Sequence, residues 1–218
     1  AIIGSTGSGK STIANLILRL HDIDQGEIRI DGVDIRSLSQ NELRNTIGYI
    51  PQKAFLFSGT IEDNLKMGYK EATKEDMKKA LSISQSESFV NKLPKGLKSK
   101  VSQGGSNFSG GQKQRLSIAR ALIRKVPIYI FDDSFSALDL KTDAALRKSL
   151  KENMTDAAKI IIAQRVSTIM DADQILVLDE GNLVGIGKHA ELMKNCSVYQ
   201  AIAKSQMNIK EAWFYEEG

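Results

Sequence analysis

Gly4-Ser5-Thr6-Gly7-Ser8-Gly9-Lys10-Ser11 follows the short apolar run Ala1-Ile2-Ile3 and precedes Ile13, Leu16, Ile17 and Leu20, which recur at helical spacing. The octet fits G-x-x-x-x-G-K-[ST] in the setting that gives the pattern its meaning, with a strand before it and a helix after it. Glycines let the backbone turn tightly enough for successive N–H groups to face phosphate oxygens, and the start of the helix adds positive potential. On this reading Gly4, Ser5, Thr6, Gly7, Ser8, Gly9, Lys10, Ser11 and Thr12 make a phosphate cradle. Lys10 is placed to reach β- and γ-phosphates, and the Ser11 hydroxyl to bind Mg²⁺. Ile13, Leu16, Ile17 and Leu20 are expected to be the buried stripe of the helix.

Working outward, short apolar runs stand at Glu27 to Ile30, Ile47 to Ile50, Ile128 to Phe131, Ile160 to Ala163 and Ile175 to Leu178, with helical patterns between most of them. Strands alternating with helices imply an α/β fold whose sheet is mainly parallel and covered on both faces. Ser39 with Glu42, Thr60 with Asp63 and Thr73 with Asp76 are capping boxes that mark helix starts. Residues from about 64 to 124 read as mainly helical, with no convincing strand, and are expected to form an α-helical subdomain inserted into the α/β core. Ile128 to Phe131 ends in Asp132 at the carboxyl edge, where open α/β sheets bind their ligands. Asp132 is therefore the expected metal-organising acid for the cradle, acting through Mg²⁺-bound water.

Composition removes several classes. The 218 residues are 41% hydrophobic and 26% charged, which excludes a disordered, collagenous or disulfide-built chain. No apolar run approaches the roughly 18 to 20 residues that cross a bilayer, and no stretch reads as a signal peptide. Cys196 is the sole cysteine, so an internal disulfide is impossible and a reducing compartment fits. Thirty basic against 26 acidic residues leave a charge of +4, with aromatics at 6%, and no nucleic-acid partner is expected. Three residues before the glycine turn are short for a strand, so the sequence is expected to start inside one, with residues upstream of Ala1; a membrane connection would lie either there or on a separate subunit. Trp213, Phe214 and Tyr215 near the end carry no recognisable chemistry.

Between the cradle and Asp132 lies Asn107-Phe108-Ser109-Gly110-Gly111-Gln112, running into Lys113-Gln114-Arg115-Leu116-Ser117-Ile118-Ala119-Arg120-Ala121. Here the chain resembles the nucleotide-binding domains of ABC transporters, P-loop NTPases whose signature is Leu-Ser-Gly-Gly-Gln leading into a helix. The resemblance spans nearly the whole chain, residues 1 to 218. It includes Gln52 in Ile50-Pro51-Gln52, similar to the Q-loop, and Ser136-Ala137-Leu138-Asp139, similar to the D-loop. Phe57-Ser58-Gly59-Thr60-Ile61-Glu62-Asp63-Asn64-Leu65 resembles the exporter branch and argues against a DNA-repair or translation ATPase of the same superfamily. The resemblance implies ATP and Mg²⁺ as ligands and two domains paired head to tail. Each ATP then lies between one cradle and the Ser109, Gly110, Gly111 and Gln112 of the opposite domain, with Ser136 and Asp139 near the nucleotide. It implies that Gln52 offers its amide oxygen to Mg²⁺ or the attacking water where the membrane domain meets the core. It also implies a place at the cytoplasmic face of the plasma membrane, in a bacterium, joined to the transmembrane domains of an exporter.

The departures from the pattern are as informative. Active members follow the strand-end aspartate with glutamate, whereas this chain has Asp132-Asp133. One methylene fewer withdraws the carboxylate by about 1.5 Å, and a displacement near 1 Å can cost about a hundredfold in rate. In Ile162-Ala163-Gln164-Arg165-Val166-Ser167-Thr168, Gln164 stands where the resembling loop has histidine. Glutamine can donate a neutral hydrogen bond to a γ-phosphate but cannot become cationic or relay a proton. Asp133 and Gln164 are thus the weakened catalytic groups, and His189 is read as a surface or capping residue rather than a substitute. Both weakened groups serve this chain's own cradle, while Ser109 to Gln112, which serves the opposite ATP, stays intact apart from Phe108 in place of leucine. That asymmetry favours the impaired half of a heterodimer whose partner keeps glutamate and histidine. A slow homodimer and a regulatory ATP-holding module are the alternatives. Before the signature, Ser102-Gln103-Gly104-Gly105 stands where exporters have Gly-Glu-Arg-Gly, altering the charge presented to membrane loops.

Overall fold

The computed structural model describes residues 1–206; Trp213, Phe214 and Tyr215 lie outside the described residues. Strand β1 (Ile2–Gly4) runs through the glycine turn into helix α1 (Lys10–Ile17). Strands β2 (Arg29–Ile30) and β3 (Val33–Asp34) form a hairpin, and α2 (Gln40–Asn45) leads to β4 (Ile47–Ile50). Next come β5 (Gly59–Thr60), α3 (Ile61–Lys66), α4 (Lys74–Ile83), α5 (Glu87–Asn91), β6 (Lys100–Val101) and α6 (Gly110–Leu122). The chain then alternates β7 (Ile128–Asp132), α7 (Leu140–Asn153), β8 (Ala158–Ile162), α8 (Val166–Ile169) and β9 (Ile175–Asp179). It closes with β10 (Asn182–Gly187), α9 (His189–Asn195) and α10 (Ser197–Gln206).

Six strands form the main sheet in the order β10-β9-β1-β8-β7-β4, and every pairing is parallel except that of β10. Alternate side chains leave opposite faces. On one face Ile2, Ile130, Ile162 and Leu178 pack with Ala14 within α1, Leu18 just after it and Leu43 of α2. On the other, Ile3, Ile175 and Val177 meet Leu192 of α9 and Tyr199 of α10, while Phe131 and Ile50 join a cluster with Leu116, Ile118 and Leu122 of α6 and Leu146 of α7. The strand order puts the carboxyl ends of β1, β8, β7 and β4 side by side. Each delivers one part of the site: the glycine turn after Gly4, Gln164 two residues past Ile162, Asp132, and Gln52 two residues past Ile50.

All three expected capping boxes are present at Ser39, Thr60 and Thr73. Three local expectations are corrected and one strand is new. The run Glu27 to Ile30 contributes only two residues to a separate hairpin, because Asp31 (φ 50°) and Gly32 (φ 79°) turn it straight back on Val33. In α1 the buried residues are Lys10 and Ala14, followed by Leu18; Ile13, Leu16 and Ile17 are half-buried and Leu20 is 50% exposed. The helix ends at Ile17, and Arg19 with φ 50° turns Leu20 off its axis. Residues 64–124 do contain a strand, since Lys100–Val101 pairs antiparallel with Gly59–Thr60, too short a ladder to leave a periodic signal. Finally, β10 was unforeseen; Glu180 (φ 45°) and Gly181 (φ 81°) fold it antiparallel onto β9.

Candidate functional site

The glycine turn lies between β1 and α1. Gly7 and Gly9 hold φ of 83° and 95°, the left-handed region that other residues rarely enter. A Cβ on Gly4 would lie 2.1 Å from the Leu178 carbonyl oxygen, so only glycine fits between β1 and β9. Helix α1 starts without a side-chain cap and without an acid in its first turn, leaving its N–H groups for an incoming anion. The Lys10 Nζ donates to the carbonyls of Gly4 (2.8 Å) and Ser5 (2.6 Å) and to the Ser8 hydroxyl (3.3 Å), so the ammonium lies across the loop. Burial lowers the Lys10 pKa, and the Asp133 and Asp132 carboxylates pull it back up. Ser11 and Thr12 sit exposed on the first turn.

From the end of β7, Asp132 meets the cradle. Its Oδ1 accepts the Ser11 hydroxyl at 3.0 Å and its Oδ2 accepts the Tyr49 phenol at 3.1 Å. Tyr49 comes from β4, the neighbouring strand, one position across from Ile130. Burial and the Asp132 charge push its pKa up to about 12, so it stays a neutral donor. A hydroxyl and a carboxylate 3.0 Å apart are hard oxygen donors, of the kind that Mg²⁺ takes from proteins alongside phosphate and water. The residues present fit that ion.

Asp133 turns sharply at φ 45°, its N–H donating to the Ile162 carbonyl at 2.8 Å. Its Oδ2 accepts two amides at once, Gln52 Nε2 at 2.9 Å and Gln164 Nε2 at 2.7 Å. Burial raises the Asp133 pKa, the Gln52 hydrogen bond lowers it, and Asp132 raises it again, while Gln164 and Lys10 draw it down. Gln52, Asp133 and Gln164 are therefore one hydrogen-bonded group. Each glutamine keeps its amide oxygen and a second N–H for other partners.

Past Asp133, the Ser136 hydroxyl donates to the Asp133 carbonyl at 2.8 Å, and Arg165 Nη2 donates to the Ser136 carbonyl at 3.3 Å. Asp139 caps α7, accepting the Thr142 N–H at 2.9 Å and hydroxyl at 2.7 Å, and these bonds hold its pKa below the usual value. Ser109 caps α6 in a reciprocal box with Gln112 (Gln112 N–H to Ser109 Oγ, 3.3 Å; Ser109 N–H to Gln112 Oε1, 3.0 Å). That Oγ accepts from the backbone and so retains its own O–H to donate. Ser109 and Gly110 are exposed, Gly111 approaches the Ala137 carbonyl, and among the described residues no hydrogen bond joins Ser109–Gln112 to the cradle. Phe108 points away into the core, edge-on to Phe89 at 6.4 Å. His189 opens α9 and pairs through Nδ1 with the Tyr199 hydroxyl at 2.8 Å, a packing role apart from the site.

Beyond Gln52, Phe55 and Phe57 are about half exposed and stack edge-on at 5.1 Å. Arg120 of α6 holds them, donating to the Phe55 carbonyl at 2.9 Å and covering the Phe57 ring at 5.6 Å. Phe57 and Arg120 border a cavity of about 560 Å³ lined also by Tyr49, Met67, Gly68 and Arg124. No helix among the described residues is long and apolar enough to cross a membrane.

With this geometry in hand, comparison with known proteins gives consistent results. Residues 1–136 match the family model described as ABC transporter. The chain belongs to the ABC transporter family. An uncharacterized ABC transporter ATP-binding protein of Mycobacterium tuberculosis is 47% identical over 209 residues, 94% of this chain and 36% of that protein. An ATP-dependent lipid A-core flippase of Vibrio vulnificus is 40% identical over 207 residues, again 94% of this chain and 36% of the relative. A solved bacterial Atm1-family ABC exporter with ATP bound superposes with a TM-score of 0.92 at 38% identity, covering 95% of this chain and 37% of that one. The chain thus spans little more than a third of the length of these ABC relatives. Its fold is that of an ABC ATPase domain, a P-loop NTPase with a mainly parallel sheet.

Sequence reasoning missed Tyr49 and Arg165 in this ABC domain. Tyr49 reads simply as a strand residue, and its link to Asp132 exists only because β4 pairs with β7. Arg165 sits next to Gln164, and its bonds to the Ser136 and Leu138 carbonyls depend on the turn after Asp133.

Proposed function

We propose that this chain is the ATP-binding and ATP-hydrolysing domain of an ABC exporter and works as the slow half of a pair. The pair binds two ATP molecules head to tail, each between one domain's residues 4–12 and the other's Ser109-Gly110-Gly111-Gln112. The observation that carries the reading is the shared carboxylate oxygen: Asp133 Oδ2 is engaged by both Gln52 and Gln164. The base is short by one methylene, and half of its carboxylate is already committed. In this scheme Ser11 and Asp132 hold Mg²⁺, which when bound neutralises phosphate charge. Lys10 and the first-turn N–H groups of α1 bind and orient the phosphates. Asp133 Oδ1 is left to accept a proton from water, while Gln164 supplies a neutral donor where a cation would stabilise more charge. Residues 64–124 act as the inserted helical subdomain. The membrane domain docks on the cavity beside Phe55, Phe57 and Arg120, at the cytoplasmic face of a bacterial membrane.

The fitting partner is a different chain that carries glutamate and histidine at these positions, giving one slow and one competent site. A second reading, an ATP-holding module that tunes its partner, draws on the same doubly engaged oxygen: a carboxylate kept occupied favours retention of ATP over turnover. Single-turnover hydrolysis separates the two. The variant carrying Asp133→Glu and Gln164→His is expected to hydrolyse ATP about a hundredfold faster than the parent chain. Equal rates in parent and variant contradict the slow-half reading, and a parent with no hydrolysis at all selects the holding module.

A further inference from the structure

The backbone of the loop that carries Gln164 is held by a residue outside the motifs. Helix α10 buries Tyr199 and Ala203 in the same apolar cluster as Ala163, Val166 and Ile169 of that loop and α8. At the end of α10, Gln206 Nε2 donates to the Gln164 carbonyl oxygen at 2.6 Å and Gln206 Oε1 accepts the Val166 N–H at 2.8 Å. A backbone N–H only donates and a carbonyl only accepts, so these two bonds fix the orientation of the Gln206 amide. The second bond also does a cap's work, because Arg165 gives α8 no side-chain cap and the Val166 N–H is one of its orphan donors. Only Arg165 separates the two anchored positions. With its main chain pinned on this side, Gln164 extends its own amide to Asp133 Oδ2 at 2.7 Å.

We infer that Gln206 is a positioning residue, which from the end of α10 clamps the main chain at Gln164 and Val166 and thereby sets the Gln164 amide on Asp133. Its consequence for turnover rests on the proposed function; the contact itself does not. The clamp joins α10, an element without any phosphate-binding motif, to the centre of the site. Gln52 reaches the same oxygen from β4 and has no bond to Gln206, so it serves as an internal reference.

The test uses the side-chain amide spectrum of the ¹⁵N-labelled 218-residue chain, with signals assigned by Gln164→Asn and Gln52→Asn. In the parent both amides are expected away from the free-amide position and slow to exchange with water. Gln206→Met keeps the stem and removes both bonds; it is expected to return the Gln164 amide to the free position while leaving Gln52 in place. A Gln164 signal that stays put, or a Gln52 signal that collapses with it, overturns the inference. In single turnover, Gln206→Met is expected to speed hydrolysis about three- to tenfold, because it releases one of the two amides that occupy Asp133 Oδ2, with ATP affinity unchanged, and to have no further effect once Gln164→Ala is present. Slowed hydrolysis in Gln206→Met, or additive effects in the double variant, also overturn it. A parent chain that hydrolyses no ATP contradicts the slow-half reading and leaves the amide spectrum as the test of the clamp.

Discussion

Tyr49 is the residue whose role depends most purely on three-dimensional arrangement. Its phenol holds one oxygen of Asp132 while the Ser11 hydroxyl takes the other, so the carboxylate cannot rotate without breaking a bond. A hydrogen bond of this kind is worth about 1 kcal/mol net, more to a charged acceptor. Tyr49→Phe is therefore expected to raise the Mg²⁺ concentration for half-maximal tightening of ATP binding about three- to tenfold. Binding of ATP without Mg²⁺ should be unchanged. A fluorescence titration of Mg²⁺ at fixed ATP measures this, and superimposable curves for parent and variant count against the alignment. The Asp133 group was half legible in the sequence. Asp133 and Gln164 stand out as replacements of the expected types, and Gln52 by its place after Pro51. That all three converge on one oxygen was not legible, because it follows from the order β8-β7-β4 rather than from any spacing.

Helix α6 carries several tasks along its length. Ser109 caps its start, Phe108 plugs the core just before it, and Arg120 near its end grips the Phe55–Phe57 segment. The aromatic at 108 is matched by Phe89 of α5, which explains why a ring replaces leucine here. Phe108→Leu is expected to destabilise the chain by about 1 kcal/mol and Phe108→Ala by about 3 kcal/mol, read by urea unfolding. Equal stability of all three would mean that the ring is not packed as described. Longer strands and helices were legible because their apolar periods extend over several residues, as in β7, β8 and β9. The two-residue ladders β2–β3 and β5–β6 were not, since two positions carry no period. Strand β10 hides because Leu183, Val184 and Ile186 on this edge are exposed and do not alternate with a buried face. The Asp31-Gly32 and Glu180-Gly181 turns were the available signals, and both precede missed strands.

Across the molecule, the two features proposed to bind phosphate lie on different parts of one chain. The cradle closes with Asp132, Asp133, Gln52 and Gln164 around it, whereas Ser109 and Gly110 stand exposed at the start of α6 with the Ser109 proton free to donate. In the proposed pairing a second domain supplied head to tail satisfies both, and identical copies serve as surrogates for a mixed pair. On the Asp133→Glu, Gln164→His background, Lys10→Ala disables a cradle and Ser109→Ala disables the signature serine. Each variant alone then has both of its shared sites damaged, whereas a mixed dimer rebuilds one site from the sound cradle of one chain and the sound serine of the other. The decisive measurement is ATP turnover of the two variants mixed in equal amounts. Random pairing makes half of the dimers mixed, each with one sound site of two, so recovery to roughly a quarter of the background rate is expected. Turnover no higher than the mean of the two separate variants contradicts a nucleotide site shared between chains.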